Sequence, residues 1–271
     1  MTQAAGTNQR IALISDVHGN LTALEAVLAD IDARGITRIF NLGDYVGKGP
    51  RGRAVVELCQ QRCEVNLLGN WDDFLPDPDR EFQSDDLTWW NDELGPGQGE
   101  WLRGLDFCHD FWLSGRRVRL FHASEETVHR RVRYVRTQSE FESLFTHTEA
   151  TGFDGPEPDM VGYGDTHDPF YECQPEGRTS FNTGAGGNCM GDPTPMYCIL
   201  EGVYGSEEIA PWSIAYVRVP YDVEAELAVA KELGVPNFEG YELELRHGIY
   251  RGNLAAWQSG EPITGYHERS V

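Results

Sequence analysis

The chain has 271 residues and a formal net charge of −22, which argues against polyanionic partners such as nucleic acid or an anionic membrane surface. Hydrophobic residues make up 40% of it, enough for a packed core and too many for a disordered chain. No stretch approaches the roughly 18 apolar residues of a membrane span, and residues 1–10 are polar with no apolar leader core, so a cytoplasmic protein is expected.

Residues 10–14 form a short apolar run of strand type. In 20–34 the apolar side chains of Leu21, Leu24, Val27, Leu28 and Ile31 recur at helical spacing, and Gly35 closes that helix. Residues 38–42 read as the next strand, 53–62 as a helix and 64–68 as a third strand. This alternation predicts parallel strands with right-handed crossovers. The order then breaks. Residues 71–115 are rich in Asp, Pro, Gly and aromatics, hold five of the seven tryptophans, and read as a mostly helical, cap-like insertion in a single domain spanning 1–271. Residues 118–121 return to a strand and 139–145 to a helix. Short strands dominate afterwards, at 160–163, 170–173, 180–182, 197–200 and 213–219, with a late helix at 223–233. The fold class expected is α/β, with two facing mixed sheets flanked by helices.

Each early strand ends in side chains that bind metals. The first runs into I-S-D-V-H-G-N, where Asp16 and His18, two apart, point the same way in extended chain. The second ends in N-L-G-D-Y with Asp44, the third in L-L-G-N-W-D-D with Asn70 and Asp72. Gly43 and Gly69 allow a tight turn just before each ligand. Carboxyl ends of neighbouring strands in an open α/β sheet form the ligand crevice, so these groups are expected at one edge. V-R-L-F-H-A-S places His122 at another strand end, and G-Y-G-D-T-H-D-P places Asp165 and His167 two apart. Carboxylate, imidazole and carboxamide together suit Mn²⁺, Fe or Zn²⁺. A carboxylate bridging two ions about 3.5–4 Å apart is the usual device of a two-metal hydrolase. Asp44, on the middle early strand, is the natural bridge.

D-V-H, G-D-Y-V-G, G-N-W-D, F-H-A-S and G-D-T-H, in that order from about Ile11 to Leu200, resemble the five motifs of the calcineurin-like metallophosphoesterases. The likeness extends to S-F-N-T-G-A-G and is closest to the small bacterial branch of YfcE-type phosphodiesterases and diadenosine tetraphosphatase-related phosphatases. The resemblance implies two divalent ions, Mn²⁺ first with Fe, Mg or Zn as alternatives. One would be held by Asp16, His18, Asp44 and His167, the other by Asp44, Asn70, His122 and Asp165. It also implies in-line attack of a hydroxide on a small phosphorylated substrate, a phosphate ester or anhydride, with a nucleotide among the candidates. Asp44, Asn70, Asp72 and His122 are the expected catalytic set. Two positions depart from the pattern: Asp165 stands where the family has His, and Trp71 where it has His or Cys, so the imidazole proton donor is missing.

Other features divide between function and plain structure. Lys48 and Arg51 in G-D-Y-V-G-K-G-P either line the site rim or are solvated loop charges; the stretch lacks the spacing of a nucleotide-binding P-loop. Arg130, Arg131, Arg133 and Arg136 form the one basic cluster and either clamp a substrate phosphate or pair with Glu125, Glu126 and Glu140. Trp71 counts with Arg130, Arg131 and Arg133 as a candidate substrate contact. Trp89, Trp90, Trp101 and Trp112 are expected to build the insertion's own core rather than to stack a base. His129 is a candidate acid. Cys59 and Cys63, one helical turn apart, are expected to be core residues rather than a metal site. A scaffold or nucleotide sensor that keeps the fold and loses turnover is the rival to the enzyme.

Overall fold

The computed structural model describes residues 7–263; residues 1–6 of the polar N-terminal stretch, and His267, lie outside them. Strand β1 (Gln9–Ile14) leads into helix α1 (Leu21–Ala33), then β2 (Arg38–Asn41), α2 (Gly52–Arg62) and β3 (Val65–Asn66). Asn20 caps α1 by accepting the N–H of Ala23 at 3.1 Å, satisfying a donor that has no partner within the helix. β1 pairs parallel with β2, and β2 with β3. β3 is shorter than the 64–68 expected: Leu67 still donates to Asn41 of β2 but bridges Asp106 on its other side, and Leu68 donates to Asp106.

Three short helices follow, α3 (Asn70–Phe74), α4 (Asp85–Asp92) and α5 (Gln98–Arg103). The helical reading of 71–115 needs correction at its end. Cys108–Leu113 is a strand, β4, which forms a hairpin with β5 (Arg116–Phe121). The turn is made by Ser114 and Gly115, both at positive φ, the geometry that matches the twist of paired strands. The remaining elements are α6 (Gln138–Ser143), β6 (Met160–Tyr163), β7 (Phe170–Cys173), β8 (Thr179–Asn182), β9 (Met196–Gly202), β10 (Ser213–Arg218), α7 (Val223–Leu233), α8 (Phe238–His247) and α9 (Leu254–Ser259).

Two five-stranded mixed sheets result, ordered β10-β9-β1-β2-β3 and β4-β5-β6-β8-β7. Alternation along the strands shows why they face each other. Ile11 and Leu13 of β1 pack with Val118 and Leu120 of β5, Met160 of β6 and Phe181 of β8 in an inter-sheet core. Ala12 and Ile14 point the other way, into a core shared with α1, α2, α7 and α8. On the far face of the second sheet, Phe121, Val161 and Tyr163 meet Phe141, Leu144 and Phe145 around α6. The order is helix, sheet, sheet, helix, with apolar residues on both faces of the inner strands, as a doubly covered sheet requires. Trp90 is buried, and Trp71, Trp89 and Trp101 pack on the large helical-face core, so the helices after β3 continue that core. Cys59 is buried there with Cys63 against it. Among the described residues no helix is long and apolar enough to cross a membrane.

Candidate metal centre

The parallel β1–β2 ladder continues beyond the strands. The N–H groups of Asp16, His18 and Gly19 donate to the carbonyls of Gly43, Asp44 and Tyr45. This lays the loop after β1 along the loop after β2. The third loop comes closer still: a Cβ on Gly69 would stand 2.2 Å from the N of Asp44, and one on Gly43 2.6 Å from Gly69. Only glycine permits that approach. Asp16, His18, Asp44, Lys48, Asp165 and His167 all have φ between +49° and +62°. Non-glycine residues enter this region at a cost, and such residues cluster at functional sites.

Six of the predicted residues meet at the carboxyl ends of the strands. Nε2 of His18 lies 3.3 Å from Nε2 of His167 and 3.2 Å from Oδ2 of Asp44. Oδ1 of Asp16 is 3.2 Å from Nε2 of His167. The other oxygen of Asp44, Oδ1, is 3.4 Å from Nε2 of His122, which is 3.1 Å from the Asn70 side-chain amide. Asp44 thus turns one oxygen to each half of the cluster. All of these side chains except Asn70 are at most 3% exposed.

The donor chemistry of this cluster calls for cations. Nδ1 of His18, His122 and His167 faces the backbone carbonyls of Val46, Leu42 and Asn188 respectively. Each Nδ1 therefore carries the proton, and each Nε2 turns a lone pair inward. There the lone pairs meet carboxylate oxygens and, at His18 and His167, Nζ of Lys48, and Oδ1 of Asp16 is buried with no hydrogen-bond partner. With its oxygen inward Asn70 adds another acceptor; with its nitrogen inward it donates to Asp44 and His122. Only the first orientation is that of a ligand. Burial opposes charging His122, yet Asp44 and Asp16 outweigh it and raise its pKa to about 10, so a proton holds Nε2 of His122 where no cation does. A pocket that draws a proton so strongly draws a divalent cation for the same electrostatic reason. Ligands at 2.0–2.2 Å from one ion are about 3.0–3.5 Å apart when adjacent, which is the spacing found. Two groups satisfy metal-binding proximity among the described residues: Asp16, His18 and His167, and Asp16, Asp44 and His122.

The other predicted residues take different places. Asp72 does not face the cluster. Its buried carboxylate accepts the N–H groups of Asp44, Tyr45 and Gly69 at 2.7, 3.0 and 3.0 Å, so it acts through the backbone as a positioning residue. Burial, then the charge of Asp44, pushes its pKa up to about 8. Asp165 is buried, and both its oxygens are held by Arg131. Arg130 is drawn to Glu125, Glu126 and Ser143, and Arg136 to Glu172 and Ser180, as expected of structural pairs. Arg133 is half-buried. His129 pairs with Asp73 at 2.7 Å at the surface. The Trp71 indole packs edge-on to His18, with centroids 5.8 Å apart, and contacts Phe74 and Trp90.

Lys48 is more central than its loop suggested. Its Nζ lies 3.0 Å from Nε2 of His18, 3.4 Å from Nε2 of His167 and 3.2 Å from Oδ1 of Asn188. Burial brings its pKa down to about 8; burial and the charge of Lys48 hold His18 well below 6.5. Asn188 and Glu244 were not legible as site residues, because nothing local marks either.

The calcineurin-like phosphoesterase superfamily domain matches residues 10–203. The chain belongs to this superfamily. Protein MJ0912 of Methanocaldococcus jannaschii is 52% identical over 62 residues, 23% of this chain and 26% of that protein; the chain thus matches about a quarter of this relative's length. A metallophosphoesterase from Sphaerobacter thermophilus has a TM-score of 0.68 and 26% identity, over 89% of this chain and 99% of that one. Protein PH1004 of Pyrococcus horikoshii OT3 has the same TM-score and coverage at 17% identity, a likeness of fold alone. The superfamily is metal-dependent, and the buried cluster supplies candidate metal ligands. β10, α7 and α8 lie beyond the matched segment.

Proposed function

We propose that this protein is a dinuclear metal hydrolase of phosphate esters or anhydrides, with Mn²⁺ as its working ion. The observation that carries the reading is the convergence of three imidazole Nε2 atoms on two buried carboxylates, with Oδ1 of Asp16 unpartnered among them. Asp16, His18, Asp44 and His167 would hold one ion, and Asp44, Asn70 and His122 the other. Bound there, divalent cations lower the pKa of a water and withdraw charge from a phosphoryl group, which are the two requirements of in-line hydrolysis.

The protein's own part is preorganisation. Asp44 is fixed by the N–H of Trp71 at 2.9 Å and by the grip of Asp72 on its backbone. The imidazoles are locked by their Nδ1 bonds. Lys48 adds a buried positive charge at Nε2 of His18 and His167 and, displaced by an ion there, would meet a phosphoryl group bound to it, where an anion is favoured. Trp71 walls the site but has no proton to give at neutral pH, so the reading favours substrates whose leaving groups depart as stable anions.

The test is elemental analysis of the purified protein, followed by a panel of phosphomonoesters, phosphodiesters and nucleotide polyphosphates with added Mn²⁺. Bound metal with turnover supports the reading. Metal without turnover on any of them favours a nucleotide sensor, and neither metal nor turnover favours a scaffold.

A further inference from the structure

The loop that carries His167 also carries an ion pair that bears on how the centre holds a cation. Asp165 stands two residues before His167 on the loop after β6. Its N–H donates to Oδ2 of Asp16 at 3.1 Å, which ties this loop to the centre. Its carboxylate does not join the ligands. Oδ2 accepts Nε of Arg131 at 2.8 Å and Oδ1 accepts Nη2 at 2.7 Å. The carboxylate is 4% exposed and the guanidinium 39%. Two parallel charge-assisted bonds of this kind are among the stronger polar contacts a protein makes.

Ligands of one ion at 2.0–2.2 Å lie at most about 4.4 Å apart. Among the described residues, two groups of acidic and imidazole atoms lie within 4.8 Å of one another, and Asp165 belongs to neither. We propose that Asp165 serves as the counter-ion of Arg131 and not as a metal ligand, so that the two metal positions are unequal. This rests on the two-metal reading above. The first position receives Asp16, His18, Asp44 and His167. The second receives Asp44, Asn70 and His122 from the protein, one ligand fewer. Arg131 cancels the charge Asp165 would have offered a cation. To recruit Asp165, an ion must compete with the guanidinium for its carboxylate.

The consequence is that the four-ligand position binds its ion tightly, with Lys48 giving up Nε2 of His18 and His167, and the three-ligand position binds at least tenfold more weakly. Arg131 then sets how much metal the centre holds at a given concentration. The competing account has the same contacts but the opposite sign: Arg131 would orient Asp165 as a ligand, as outer partners commonly do.

Calorimetric titration of the metal-stripped, full-length protein with Mn²⁺ separates the two. Two steps, the second at least tenfold weaker, are expected in the wild type. Arg131→Gln releases Asp165, and the second step should tighten at least tenfold while the first changes less than threefold. The double variant Arg131→Gln with Asp165→Asn keeps a neutral pair of similar shape and should keep the second step within threefold of wild type. A second step that weakens or stays unchanged in Arg131→Gln overturns the proposal, as does its loss in the double variant. Two equally tight steps in the wild type overturn this inference and leave the dinuclear reading standing. No Mn²⁺ binding in the wild type overturns the dinuclear reading itself.

Discussion

Lys48 and Glu244 are joined through a single side chain, Asn188. Its Oδ1 accepts Nζ of Lys48 at 3.2 Å and its Nδ2 donates to Oε2 of Glu244 at 2.9 Å. Glu244 in turn holds Arg251 with several bonds of 2.7–3.0 Å. Helix α8 lies outside the segment that matches the superfamily domain, yet through this chain it bears on the ammonium group beside His18 and His167.

If Lys48 meets the phosphoryl group, its charge matters most for the more highly charged substrate. Lys48→Gln should lower kcat/KM for a dianionic monoester about 10–100-fold, the worth of one charge-assisted hydrogen bond. A monoanionic diester should lose several-fold less. Steady-state kinetics on an aryl monoester and the matching diester check this; equal losses would place Lys48 in a structural role.

Asp44→Asn removes the charge shared by both halves of the centre. Metal content after desalting should fall from two ions to one or none, and turnover by about 10³-fold. That corresponds to the several kcal/mol a metal ion supplies in charge stabilisation. Near-normal turnover with two bound ions would show that Asp44 is not the bridge.

Glu244 predicts an acid limb in stability. Burial alone would raise its pKa, but Arg251 outweighs burial and holds it below 4.5. A carboxylate depressed in the folded state adds stability that is present above pH 4.5 and lost as the pH falls through its folded value. Glu244→Gln should cost on the order of 3 kcal/mol at pH 7, since it leaves a buried arginine uncompensated. Its Tm should also fall less than that of the wild type between pH 6 and pH 3. Parallel Tm–pH curves would remove Glu244 from the acid response.

Trp71 leaves leaving-group protonation to water or to a residue farther out, such as His129. A positioned general acid contributes about 10²–10⁴-fold when the leaving group needs a proton. Aryl phosphates and nucleotide polyphosphates should therefore turn over well and alkyl monoesters poorly. Trp71→His should speed the alkyl esters selectively. The measurement is kcat/KM against leaving-group pKa: steep in the wild type and flatter in the variant. A flat wild-type dependence would end the argument.

Much of this protein is decided locally. The period of 3.6 in α1, the apolar runs of β1 and β2 and the glycines before Asp44 and Asn70 each act over a few residues, so they are legible in the sequence, as are the metal-binding side chains at the strand ends. β4 was hidden because C-H-D-F-W-L has no clean alternation: its faces meet partners from β5 and the inter-sheet core, and the Ser114–Gly115 turn was the signal available for it. α8 was hidden by Gly240 and by the charges of Glu239, Glu242 and Glu244, one of which turns inward to Arg251. Asp72 reads as one more acidic ligand in N-W-D-D until the loop geometry shows it holding backbone N–H groups. The pairing of Arg131 with Asp165 spans 34 residues and that of Asn188 with Glu244 spans 56. Such contacts depend on how sheets and helices pack, and a charge in a sequence does not carry the identity of the group it will neutralise. Sequence alone thus specified which chemistry gathers at the strand ends; the tertiary structure decided which carboxylates face the buried imidazoles and which face an arginine.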